Sequence, residues 1–311
     1  MRLILLLRIV LVFTLSSLGW AIAEDAITPI AGIGPTGPLQ VVHDNLVFAE
    51  GPAADATGTL YFSDVPASKV YRVNSSGTPN LVLKNSQGTN GMMFAADGRL
   101  IGCQSRLGRI IGIHVDTGKI DVLVDAYNGN RFNQPNDLVI DQQGGVYFTD
   151  PAIGKGKQDK QGVYYISISG EVTRIIDDLV FPNGILLSVD EKTLYVMPYV
   201  TPNLMAYPIE SPGRIGKGKE FCQLPANDKG RRGGGDGMTI DTQGNLYLTA
   251  PRVSSLMVVN PSGKTLGLIP LPKVPTNCTF GGKDFKTLYI TTAKTLYALP
   301  MQVEGHRFAR P

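Results

Sequence analysis

The sequence predicts an all-β fold: a six-bladed β-propeller of four-stranded blades, its last blade closed by a strand from the amino-terminal end. Two observations predict it. First, a short strand pattern, Gly58-Thr-Leu-Tyr-Phe-Ser-Asp64, returns as Gly145-Val-Tyr-Phe-Thr-Asp150, Thr193-Leu-Tyr-Val-Met197, Asn245-Leu-Tyr-Leu-Thr249 and Thr287-Leu-Tyr-Ile-Thr291, and more weakly as Gly98-Arg-Leu-Ile-Gly102. Its aliphatic anchors, Leu60, Leu100, Val146, Leu194, Leu246 and Leu288, are spaced 40, 46, 48, 52 and 42 residues apart, the range of one blade. Second, ten or eleven residues ahead of each anchor stands one carboxylate or carboxamide: Glu50, Asn90, Asn136, Asn183, Asp236 and Asn277. Rotation about a propeller's channel relates equivalent positions, so these six side chains should form one ring. A single Asn-Gly pair reads as a tight turn; six positions in phase do not.

The elements follow in order. Arg2 and Arg8 flank the start of an apolar run, Ile9-Val-Leu-Val-Phe-Thr-Leu, and Ala21-Ile22-Ala23 is a small-x-small cleavage site. Residues 1–23 therefore read as a secretory signal peptide, with a secreted or periplasmic protein and a single propeller domain at 24–311. Leu39–Phe48 reads as a strand. Blade one then offers Pro52–Ala56, Thr59–Asp64, Lys69–Val73 and Asn80–Lys84, separated by Gly, Asn and Ser turns. Arg109–His114 and Ile120–Val124 continue blade two, Gly162–Ile168 and Val172–Ile176 blade three, Asn203–Ile209 and Glu220–Leu224 blade four, and Ser255–Asn260 and Thr265–Pro270 blade five. Blade six begins at Asn277 and runs out of chain after Thr295–Leu299, so Leu39–Phe48 should supply its outer strand and close the ring. Three loops stand out by composition, 154–161, 213–219 and 227–235. All three read first as solvated connections between blades; the last, entering Asp236 through Gly233-Gly-Gly235, has the backbone that could alternatively act as a mobile lip over the channel mouth.

Charge excludes some partners. Without residues 1–23 the 29 basic residues fall to 27 against 26 acidic, a balance favouring neither nucleic acid nor an anionic membrane surface. Cys103, Cys222 and Cys278 allow one disulfide at most and have no metal-site spacing; Cys278 suits a core position. None of the three histidines, His43, His114 and His306, falls at the ring address, and no Ser/His/Asp set is apparent.

Two carboxylates and four carboxamides facing one channel are hard oxygen donors, suited to Ca2+, Mg2+ or Mn2+ rather than Zn2+. The same residue types equally suit a polar plug of buried waters. The segments Phe48-Ala-Glu50-Gly-Pro52, Arg131-Phe-Asn-Gln-Pro-Asn136-Asp137, Phe181-Pro-Asn183-Gly184, Gly235-Asp236-Gly-Met-Thr-Ile-Asp241 and Asn277-Cys-Thr-Phe-Gly-Gly resemble, in order and over nearly all of the chain after residue 23, the SMP-30/gluconolactonase/LRE-like family. The resemblance implies a propeller with one divalent metal in its channel, Ca2+ first, with Mg2+, Mn2+ or Zn2+ as alternatives. It places the metal ligands at Glu50, Asn136, Asn183 and Asp236, the acid/base residue at Asp236, and substrate contacts at Asn90, Asn136 and Arg131. Asp137 would stand behind them. The implied activity is a metal-dependent hydrolase opening a sugar lactone. The alternatives are hydrolysis of another ester such as a phosphotriester, or a non-catalytic propeller that binds a ligand or protein and is braced by calcium.

Overall fold

The computed structural model describes residues 27–308 except 75, 76 and 153. The signal-peptide expectation lies outside the described residues. Six antiparallel sheets follow one another along the chain. Blade one is Ala49–Ala54, Leu60–Asp64, Lys69–Val73 and Pro79–Lys84; blade two is Thr89–Phe94, Leu100–Gln104, Arg109–His114 and Lys119–Val124. Blade three is Leu138–Ile140, Val146–Asp150, Gly162–Ile166 and Val172–Ile176; blade four is Pro182–Leu187, Thr193–Pro198, Asn203–Ser211 and Lys219–Gln223. Blade five is Met238–Ile240, Leu246–Ala250, Ser255–Val259 and Thr265–Pro270. Blade six is Pro275–Gly281, Thr287–Thr292 and Leu296–Pro300, and its fourth strand is Gln40–His43, paired through Gln40 with Ala298 and Val41 with Tyr297.

Burial explains the repeated motif. The second strands of blades one, two, three and five are buried along their whole length, because neighbouring sheets cover both faces. They therefore read as continuous apolar runs rather than as alternating ones. Outer strands such as Pro79–Lys84 and Lys119–Val124 are half exposed and more polar. The core fills the gaps between successive sheets, with Phe62, Tyr147, Phe148, Tyr164 and Tyr247 fully buried.

The closing strand is shorter than expected. Residues 44–48 leave the sheet, where the N–H groups of Val47 and Phe48 donate to the Asp64 carboxylate at 3.0 Å each. Two two-residue pairings escaped the sequence reading. Ala126–Tyr127 pairs with Asn130–Arg131, and Arg214–Ile215, inside the expected 213–219 loop, folds back on Asn203–Ser211 through Gly213 at a φ of 74°. The lip at 227–235 is also corrected. Gly233, Gly234 and Gly235 are buried, and the Gly234 N–H donates to the Tyr199 carbonyl at 3.1 Å. A side chain at 234 would overlap Pro198 and Tyr199, so those glycines permit close passage rather than motion. The three cysteines are free thiols, Cys103 and Cys278 within the core.

After blade six, residues 301–308 turn across the end of the channel opposite the ring. There the His306 N–H donates to the Ile240 carbonyl at 3.0 Å, and Gly305 pairs with Asp241.

Candidate active site

Each inner strand starts at one end of the channel, and the residue starting it sits on the wall shared with the next blade. The glycine after it makes this possible. A Cβ at Gly51 would overlap the Asn90 carbonyl, at Gly91 the Asp137 carboxylate, at Gly184 the Asp236 carbonyl, and at Gly237 the Asn277 amide. Of these four, only Gly51 has positive φ. The X-Gly pairs are thus close-approach positions between blades, not tight turns.

The repeated hydroxyl of the second strand then pins the ring's backbone. Ser63 Oγ donates to the Asn90 carbonyl (3.0 Å), Thr149 Oγ1 to that of Asn183 (2.6 Å) and Thr291 Oγ1 to that of Asn277 (3.2 Å). Thr249 Oγ1 accepts from the Asp236 N–H at 2.7 Å. Asp64 and Asp150, one residue beyond Ser63 and Thr149, hold the loops that lead into Glu50 and Asn136. Asp150 accepts from the N–H groups of Asn133 and Gln134 at 2.9 and 2.8 Å. This layer was missed in reading the sequence, although its signal, Ser/Thr-Asp closing the motif in phase, was present.

The structure joins two of the ring side chains directly, Asn277 Nδ2 donating to Glu50 Oε2 at 3.3 Å, and sets Asp236 close enough for its charge to act on Glu50. Glu50, Asn183 and Asn277 are buried, whereas Asp236, Asn90 and Asn136 are partly exposed. Asn136 is fixed through its backbone, its carbonyl accepting from Gly91 N–H at 2.8 Å and its N–H donating to the Thr149 carbonyl at 2.9 Å. Arg131 is not at the ring. It is exposed at the end of the Ala126–Arg131 hairpin on the same face.

Asp137 contributes more than its sequence position suggested. Its carboxylate is buried in the channel, accepting from the Leu138 N–H at 2.9 Å. Below it a cavity of about 60 Å³ runs to His306 and Phe308. A larger space of about 410 Å³ shares Met92, Met93, His306 and Phe308 with that cavity, so it is the far mouth of the channel and is remote from the ring. Burial pushes Glu50 well above the usual carboxylate range, helped by the charges of Asp236 and Asp137. Burial and the charge of Asp137 likewise bring Asp236 to about 7, and burial alone brings Asp137 to about 7.

Among the described residues no three His, Cys, Asp or Glu side chains form a metal-holding group, so any cation here draws on amide oxygens. The residues fit one. Asn183 Oδ1 is buried without a hydrogen-bond partner, beside two carboxylates whose mutual repulsion a cation would relieve. Glu50, Asn183, Asp236 and Asn136 would hold it, a hard oxygen set that suits Ca2+.

The description of the SMP-30/gluconolactonase/LRE-like region matches residues 48–294. A gluconolactonase of Zymomonas mobilis is 34% identical over 296 residues, covering 86% of this chain and 82% of its own length. The structure of a gluconolactonase from Xanthomonas campestris superposes with a TM-score of 0.80 at 29% identity, covering 89% of this chain and 94% of that one. A calcium-binding regucalcin of Agrobacterium tumefaciens, with a TM-score of 0.74 at 20% identity over 92% of this chain and 98% of that one, shares the fold. A six-bladed propeller whose in-phase ring falls within the matched region thus belongs to the SMP-30/gluconolactonase/LRE-like family.

Proposed function

We propose that the protein is a divalent-metal-dependent lactonase acting on a sugar lactone, with Asp236 as general base. The observation that carries this reading is the convergence of Glu50, Asp236 and the unpartnered Asn183 Oδ1 at one end of the channel. The gluconolactonase relatives supply the substrate class. A bound Ca2+ would supply Lewis acidity toward the lactone carbonyl.

The chain's own residues do the rest. Asp236, the partly exposed carboxylate of the pair, can meet a water entering from the mouth and take its proton as the oxygen attacks the carbonyl carbon. That proton then passes to the departing ring oxygen as the ester C–O bond breaks, leaving a hydroxy acid. Thr249, holding the Asp236 N–H, keeps the base aimed. Glu50 is buried and held by the Gly51 N–H at 3.1 Å and by Asn277, which suits it to bind rather than to shuttle protons. Asn90 and Asn136, partly exposed at ring positions, would contact substrate hydroxyls. The amino-terminal 23 residues would direct the protein out of the cytoplasm.

The test is hydrolysis of a panel of lactones by the purified protein with and without chelator. Turnover of at least one sugar lactone, abolished by chelation and restored by calcium, is the expected result. Chelator-insensitive turnover would refute the metal role, and no turnover of any lactone would leave the non-catalytic calcium-braced propeller.

A further inference from the structure

On the same face as the ring lies a second, small concavity of about 80 Å³ bounded by Arg106, Arg131, Lys155 and Lys157, with Ser105 and Asn133 at its floor and no carboxylate among its walls. Three elements meet there: the 105–108 turn of blade two, the Ala126–Arg131 hairpin, and the 151–161 loop of blade three. The arrangement is built rather than incidental. Asn133 is buried and its Oδ1 accepts from the N–H groups of Lys157 and Gln158, the latter at 2.9 Å. Gln158 Nε2 donates to the carbonyls of Asn130 (2.6 Å) and Arg131 (3.2 Å), tying the loop to the hairpin. Ser105 Oγ donates to the Pro135 carbonyl at 2.6 Å, fixing the concavity one residue from Asn136 of the ring.

The charge is uncompensated. Arg106 spends its guanidinium on neutral oxygens, Ser68 Oγ at 2.6 Å and the Pro66 carbonyl at 2.8 Å. Among the described residues none of the four cations makes an ion pair. The nearby acids Asp159 and Asp177 are already matched, to Arg174 and Lys160. Asp150, behind the concavity, is turned to the backbone N–H groups of Asn133 and Gln134. The four exposed cations line one concavity whose backbone the buried amide network fixes, and an anion entering it would meet positive charge with no carboxylate beside it.

We propose that this concavity takes an anionic arm of the substrate, a carboxylate or a phosphate, so that the lactone opened at the ring is an acidic sugar lactone rather than a neutral one. The inference rests on the lactonase reading, and its test separates the two. kcat/KM is measured on the calcium-loaded full chain for glucono-1,5-lactone, its 6-phosphate and its 6-carboxylate, and again for the Lys155→Gln/Lys157→Gln variant. One anionic lactone should be preferred about tenfold or more, the scale of a hydrogen bond to a charged group. That preference should shrink in the variant and with added salt. Equal kcat/KM for all three lactones would overturn the anionic arm while leaving the lactonase reading intact. If no lactone is turned over, calorimetric titration with gluconate 6-phosphate decides the pocket by itself. Binding that is weakened in the variant upholds it; absent binding, or binding unchanged in the variant, overturns it.

Discussion

In the lactonase proposal Asp236 supplies both negative charge for a cation and the basicity for a proton transfer, and substitution can separate the two. Asp236→Asn keeps an oxygen of similar shape but loses charge and basicity. Turnover at saturating calcium should therefore fall ~10²-fold or more, the scale of general-base catalysis. Asn183→Ala removes a neutral oxygen from the same group, so its lost activity should be partly recovered by excess calcium. Side-by-side rates at saturating calcium check this, and full activity in Asp236→Asn would reduce Asp236 to a ligand. Phase alone was enough to find Glu50, Asn183, Asp236 and Asn277 in the sequence, because equivalent addresses share a wall of the channel. Asp137 was harder to read, since blade three places an Asp where four of the other blades place the packing glycine, and its carboxylate enters the channel from that substituted position. The pairing that carries Arg131 could not be read, because two residues a side are too few to show a period.

Among the elements, the inner strands depend most on a missing side chain. At Gly237 a methyl group would overlap the Asn277 amide, which itself donates to Glu50. Gly237→Ala should therefore lower stability by about 1–3 kcal/mol, the usual cost of overpacking, and weaken calcium binding as Asn277 is displaced. Denaturant unfolding with and without calcium measures both, and an unchanged midpoint would contradict the close-packing role. Strand positions were legible wherever burial on both faces produced a continuous apolar run, as in Val146–Asp150. The tail at 301–308 was not, because its buried residues Met301, Val303 and Phe308 meet partners far away in sequence and follow no period.

At the scale of the whole molecule, the channel concentrates carboxylates that the fold alone does not favour in ionised form. Glu50, Asp137 and Asp236 are raised above their ordinary values of 4.5, 3.8 and 3.8, the two aspartates to about 7. Their contribution to the stability of the metal-free protein is full below pH ~4, where unfolded carboxyls hold their protons, and is lost as pH rises to about 7. Bound calcium would reverse that trend, since it would take the ionised forms and stabilise the fold by ~2.7 kcal/mol at a hundredfold excess over Kd. The calcium-induced gain in Tm should therefore be larger at pH 8 than at pH 5. Differential scanning at both values checks this, and an equal or larger gain at pH 5 would remove the channel carboxylates from the cation site. The seam between Gln40–His43 and Leu296–Pro300 bears on synthesis as well as on stability. Thr276 Oγ1 reaches the Ala49 carbonyl at 2.8 Å and Thr295 Oγ1 reaches Asp44 at 2.7 Å, contacts that join the two ends of the chain. While the ribosome is still extending the polypeptide, up to five sheets can form locally, but the circle has no last member and Glu50 has no Asn277 beside it. The first strand must wait, unpaired, until Leu296–Pro300 has emerged, so the ring of channel side chains can close only after the last blade has been made.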